Sequence, residues 1–150
     1  MRNAVVVDTS IAIKWVLNED DSALALALLA EWKKKKVAML APALLAYEAS
    51  NTLYQNVRRG KITLDTAELS MTKVILAGLQ LDFSQDPVLG VRAIELANNF
   101  SLLATYDAYY LALAERERCE FWTADTRMWN AVKGKFAWVR WMGDYHTGQN

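Results

Sequence analysis

The chain has 150 residues, 53% of them hydrophobic, and 17 basic side chains balance 17 acidic ones. That composition suits one globular domain over residues 1–150 with a real core, excludes a disordered chain, and gives no bulk charge to announce a nucleic-acid binder. The single Cys119 excludes an intramolecular disulfide and fits the cytoplasm; the N-terminal apolar run is too short for a signal peptide, and none approaches the ~20 residues that cross a membrane.

The first element is a strand at residues 4–8, because Val5, Val6 and Val7 form a continuous apolar β-branched run, as in a strand buried on both faces. A helix over 9–17 follows at once. Asp20, Asp21 or Ser22 starts a second helix that ends in the lysines at 33–36, acids first and bases last as the helix dipole favours. Residues 37–41 read as a second strand, and Pro42 suits the first position of a third helix running to Arg59, with Gly60 as its stop. Thr63 and Asp65 open a fourth helix that ends near Gly78. A short strand at 79–83, a helix from Asp86-Pro87 to about Asn98, and an apolar turn or brief strand at 102–105 come next. A sixth helix begins at Tyr106 or Asp107 and runs to about Arg118. A strand at 120–124, a helix at 125–132 and a last strand at 136–141 complete the pattern, with a frayed end from Gly143. Strands alternating with helices predict a mostly parallel sheet covered on both faces.

Four acids stand out by context. Asp8 ends the first strand and Asp125 follows a later one, so each sits where open α/β sheets bind ligands. Asp107 opens the sixth helix. Glu48 lies inside the third helix among Leu44, Leu45 and Leu53, where an unpartnered carboxylate is costly, and Asn51 one turn on could orient it. Asp107 and Asp125 also read as plain helix caps worth ~1 kcal/mol each. Two carboxylates ~4 Å apart repel by roughly 4 kcal/mol at an effective dielectric of 20, so a cluster needs cations or protons. Hard cations such as Mg²⁺ or Mn²⁺ prefer oxygen, acidify bound water and offset charge on phosphoryl oxygens. No Ser-His or Cys-His pairing competes, and the only histidine, His146, lies near the C-terminus.

The motifs Val-Val-Asp8-Thr9-Ser10, Tyr47-Glu48-Ala-Ser-Asn51, Tyr106-Asp107-Ala-Tyr109 and Thr123-Ala-Asp125 appear in order and at spacings that resemble the PIN-domain nucleases, most closely VapC-type toxins of toxin–antitoxin pairs. The resemblance covers essentially the whole chain. It implies an α/β/α sandwich with a parallel sheet of about five strands in the order 3-2-1-4-5. It implies that Asp8, Glu48, Asp107 and Asp125 are catalytic and hold Mg²⁺ or Mn²⁺, supported by Thr9 or Ser10, Asn51 and Thr123. The implied reaction is hydrolysis of RNA to a 5′-phosphate and a 3′-hydroxyl. Trp122, before Thr123, departs from the smaller residues common there. The apolar faces of the two helices over residues 42–77 would suit a second copy of the chain or the peptide of an antitoxin, and the resemblance implies an RNA substrate and an antitoxin whose C-terminal segment occupies a groove there; no membrane is involved.

Other readings remain. Arg58, Arg59 and Lys61 are candidate RNA contacts, as is Lys14, while the lysines at 33–36 read as a solvated helix end. Trp32 and Trp129, among polar residues, could stack on bases or bind a partner; Trp15, Trp122, Trp138 and Trp141 read as core or dimer contact. A PIN-like domain that binds RNA or protein without cutting is the alternative function. A haloacid-dehalogenase phosphatase is disfavoured because it wants a second Asp where Ser10 stands.

Overall fold

The computed structural model describes residues 1–146. Its elements are β1 (Ala4–Val7), α1 (Thr9–Ala12), α2 (Ser22–Lys34), β2 (Ala38–Pro42), α3 (Leu44–Arg58), α4 (Leu64–Leu76), β3 (Leu79–Asp82), α5 (Pro87–Asn99), α6 (Thr105–Glu117), β4 (Glu120–Thr123), α7 (Thr126–Val132) and β5 (Val139–Trp141). The strands form one sheet in the order β3-β2-β1-β4-β5, and all four pairings are parallel. The chain steps from β1 outward to β3, then returns to β4 on the other side of β1 and continues to β5. Right-handed crossovers therefore send α1 to α4 to one face and α5 to α7 to the other, giving three layers. The strand order reverses at β1/β4, and a crevice opens at the carboxyl ends of those two strands.

The core explains why the first strand is a run of valines. Val6, Val7 and Phe121 are fully buried in the sheet's centre, and α6 lays Tyr110, Leu111 and Leu113 over it, all nearly inaccessible. α2 contributes Ala25, Leu28 and Trp32 at helical spacing.

Local chemistry ends the helices where the sequence suggested. Gly60 takes φ +68° after α3, with hydrogen bonds from Gly60 to Val57 and from Lys61 to Asn56 closing the end. Thr63 caps α4, and Asp86 caps α5 ahead of Pro87.

Four expectations change. Pro42 is not a helix start; it ends β2, paired with Asp82. β1 pairs with β2 only as far as Leu40, so the missing proline N–H removes no bond from that side. The segment 9–17 is one short α-helix followed by a 3-10 turn at Ile13–Trp15. The last strand begins only at Val139; of the two readings of residues 102–105, the structure has the non-strand one, a bend at 103–104. The end is not frayed from Gly143: Met142–Asp144 form a 3-10 turn, and Tyr145 hydrogen-bonds Glu31 and packs edge-on to Trp122 at 6.3 Å. The expected fraying of residues 147–150 lies outside the described residues. Among the described residues no helix is long and apolar enough to cross a membrane.

Candidate active site

An open cleft of about 300 Å³ lies at the crevice and is lined by Asp8, Glu48, Asp107 and Asp125. Each acid arrives on a different element. Asp8 follows β1, and its N–H donates to the Trp122 carbonyl at 3.0 Å, tying it to β4. Glu48 comes from the second turn of α3, Asp107 from the first turn of α6, and Asp125 from the junction of β4 and α7.

Asp8 is buried, and its Oδ2 accepts from Ser10 Oγ at 2.6 Å and Thr123 Oγ1 at 2.7 Å. Each hydroxyl has one proton, and backbone decides where it points. Ser10 Oγ accepts the Ala124 N–H at 2.9 Å, and Thr123 Oγ1 accepts the Asp125 N–H at 3.0 Å. Both protons are thereby directed at Asp8. Burial pushes the Asp8 carboxyl up to about 7; the two hydroxyls oppose that, and the charges of Glu48 and Asp107 add to it.

Glu48 is held on one side only. Its Oε1 accepts the Tyr110 hydroxyl at 2.6 Å and lies 3.1 Å from Thr9 Oγ1. Asp125 caps α7, with Oδ1 accepting the N–H groups of Arg127 at 2.8 Å and Met128 at 3.1 Å. In all three acids one oxygen is tied down and the other takes no hydrogen bond among the described residues. Burial raises the pKa of Glu48 and Asp107. Asp125 raises both further, Asp107 also raises Glu48, and Arg127 draws Asp107 back. The four acids thus share one field.

That donor set fits a hard divalent cation: it is all oxygen, partly dehydrated, and short of positive charge. The expected single cage is not preformed, since among the described residues no three acids, cysteines or histidines gather closely enough to hold an ion. Asp8, Glu48 and Asp125 are instead drawn to their own donors, as like charges in one cleft favour.

Of the expected supporting residues, Thr9, Ser10 and Thr123 contact the acids directly. Asn51 does not line the cleft; it is exposed, and Thr52 stands there instead. Positions three and four after Glu48 lie on opposite flanks of it, and the cleft is on the flank of Thr52. Lys14 lines the cleft, but its ammonium is engaged by Glu19 at 3.3 Å and the Asp20 carbonyl at 3.0 Å. Arg58, Arg59 and Lys61 are exposed at the far end of α3, about 15 Å along the axis from Glu48. Trp32 is buried against Trp122, and Trp129 stacks on Trp141 at 6.0 Å, so both serve packing rather than open base-stacking. Trp15 is buried, and Trp122, Trp138 and Trp141 are half-buried. Cys119 is buried, and burial pushes its thiol up to about 11, which leaves it unreactive. Sequence reasoning missed Tyr110, which looked like one more apolar position in α6.

The fold and cleft define an α/β sandwich with an acidic crevice at its switch point. Residues 5–135 match the PIN domain, and the chain belongs to that family. No curated protein matches it in sequence. Among solved structures it is similar to PAE2754 from Pyrobaculum aerophilum, with TM-score 0.67, 22% identity, and 95% and 93% of the two chains covered. It is also similar to a chain of a toxin–antitoxin complex from Klebsiella pneumoniae, with TM-score 0.62, 19% identity and coverages of 91% and 96%. A third likeness is to a chain of VapBC2 from Rickettsia felis bound to a DNA fragment from their promoter, with TM-score 0.59, 16% identity and coverages of 92% and 98%.

Proposed function

We propose that the chain is a single-domain, Mg²⁺- or Mn²⁺-dependent endoribonuclease of VapC type, the toxin of a cytoplasmic toxin–antitoxin pair. The observation that carries the reading is the shared cleft of Asp8, Glu48, Asp107 and Asp125, each buried or half-buried, with the lining Lys14 engaged by Glu19 and the Asp20 carbonyl rather than by the acids. Two of the similar folds come from toxin–antitoxin assemblies, which supports the biological role.

The four acids would hold the cation, with Asp8 Oδ1, Glu48 Oε2 and Asp125 Oδ2 as the oxygens left to it. When bound, Mg²⁺ or Mn²⁺ acidifies water and offsets charge on the phosphoryl group. The chain's own contribution is placement. Ser10 and Thr123 hold Asp8, the cap of α7 holds Asp125, and Glu48 is tied by Oε1 so that Oε2 is left for the cation. One open oxygen per clamped acid suits a small cation that keeps its waters better than Ca²⁺, which takes more ligands, often bidentate. RNA would run along α3, whose exposed Tyr47, Asn51, Tyr54 and Arg58 form one stripe at helical spacing. The exposed Leu64, Leu69 and Leu76 of α4 would receive the antitoxin segment, and the exposed Val88, Val91 and Ile94 of α5 a second copy of the chain.

The test is cleavage of RNA by the purified chain with Mn²⁺, with chelator, and as Asp8→Asn. Cleavage that needs the cation, leaves 5′-phosphates and is lost in the variant is the expected result. Undiminished cleavage by Asp8→Asn would remove the mechanism. A PIN domain that binds without cutting is the second reading, favoured by the separate anchoring of Asp8, Glu48 and Asp125; tight Mn²⁺ binding without turnover would establish it.

A further inference from the structure

We infer that Tyr110 is a positioning residue: with Thr9 its hydroxyl fixes Glu48 by Oε1, and so aims Oε2 alone into the cleft. The inference rests on the nuclease reading only for its effect on catalysis; the geometry it concerns is that of a cation ligand.

Tyr110 is completely buried, its ring tilted against Phe121 at 6.0 Å between centroids, so the phenol cannot swing to another partner. Its oxygen meets Glu48 Oε1 at 2.6 Å and Thr9 Oγ1 at 2.7 Å, and Thr9 Oγ1 itself lies 3.1 Å from Glu48 Oε1. Proton counting orders the set. The phenol has one proton, and the carboxylate takes it at the shorter contact. The threonine proton is then shared between the phenol oxygen and Oε1. A buried tyrosine that merely needed satisfying could use any backbone carbonyl. This one spends its proton on a cleft acid 62 positions away. It also stands one turn after Asp107, so α6 supplies a cleft acid with one residue and fixes a second acid, on α3, with another. Thr9 stands beside Asp8 in the same way. Each of the two residues therefore links the orientation of Glu48 to a neighbouring carboxylate.

The test is Mn²⁺ binding to the full chain, followed by electron paramagnetic resonance without RNA, for wild type, Tyr110→Phe, Glu48→Gln and the double variant. Tyr110→Phe is expected to weaken binding by about ten- to a hundredfold, the usual cost of removing a partner behind a metal ligand. In the Glu48→Gln background the same change is expected to alter binding by less than about twofold, because a group that acts through Glu48 has nothing left to act on. An unchanged affinity in Tyr110→Phe, or an equal loss in both backgrounds, overturns the inference. If the phenylalanine chain does not fold, Thr9→Val removes the other donor to Oε1 and is read by the same comparison. A wild type that shows this coupling yet cuts no RNA overturns the nuclease reading and leaves the role of Tyr110 standing.

Discussion

Asp8→Asn should make the cation-free protein more stable at pH 8 while removing its response to cations. Burial raises the Asp8 carboxyl from 3.8 to about 7, which at 1.36 kcal/mol per pH unit is ~4 kcal/mol of native-state penalty once the group is ionised. The sign follows from proton counts. Between pH 4 and 7 the native chain holds a proton on Asp8 and the unfolded chain does not, so stability falls as pH rises through that window and stays low above it. Asparagine carries no charge, and its side-chain oxygen can still accept from Ser10 and Thr123. The variant should therefore melt ~10 °C above wild type at pH 8, with the difference shrinking toward pH 4. Adding Mn²⁺ at about 100 times its dissociation constant should then raise wild type by ~2.7 kcal/mol and leave the variant nearly unmoved. Calorimetric melting at pH 4, 6 and 8 with chelator, then with Mn²⁺, reads all of this. An Asp8→Asn chain that is less stable than wild type at pH 8 in chelator, or whose stability runs parallel to wild type across pH, would refute the reasoning.

Mn²⁺ affinity should climb with pH, about tenfold per unit below 7 and levelling above it, because the cation must displace the Asp8 proton; isothermal titration between pH 5.5 and 8 measures the slope, and a flat profile would show that Asp8 is not the group displaced. Asp125 has two separable duties. Asp125→Asn keeps an N-cap acceptor and should hold stability within ~0.5 kcal/mol while weakening Mn²⁺, whereas Asp125→Ala should also lose ~1 kcal/mol of the α7 cap. Equal melting of the two variants would contradict the cap. Replacing Tyr47 and Tyr54 together by alanine should weaken binding of single-stranded RNA by ~2–6 kcal/mol, the range for two stacked bases, and leave Mn²⁺ affinity untouched; filter binding checks the first and titration the second.

What the sequence made legible follows from how local each signal is. Asp8 and Asp125 could be placed because a strand end is a local event: three valines stop at an acid, and Phe121 to Thr123 stop before another. Glu48 was legible as an acid on an apolar helix. Asn51 was not, because three and four residues along a helix both count as neighbours, and only tertiary packing decides which flank faces the cleft. Pro42 misled for a related reason. Proline fits both the first turn of a helix and the end of a strand whose partner has already stopped, and the length of β1 decides between them. Trp32 was hidden by its charged neighbours, although Ala25, Leu28 and Trp32 share the buried side of α2.

Tyr110 marks a deeper limit. In α6 it sits among Tyr109, Leu111, Ala112 and Leu113, and a hydroxyl in such a run is indistinguishable from core until its partner is known. Two partners of the cleft acids, Tyr110 for Glu48 and Thr123 for Asp8, come from positions 62 and 115 residues distant. Such pairings carry no periodicity, so they leave no pattern along the chain. What can be read is their thermodynamic shadow: a buried acid must have donors, and the hydroxyls of Thr9, Ser10 and Thr123 were credible donors because they adjoin strand ends that already held acids. A donor from a helix interior has no such neighbour to announce it. The residues most exposed to this blindness are those that orient a reactive group without being reactive themselves, and here that residue is Tyr110 on α6, which covers the sheet directly behind the cleft.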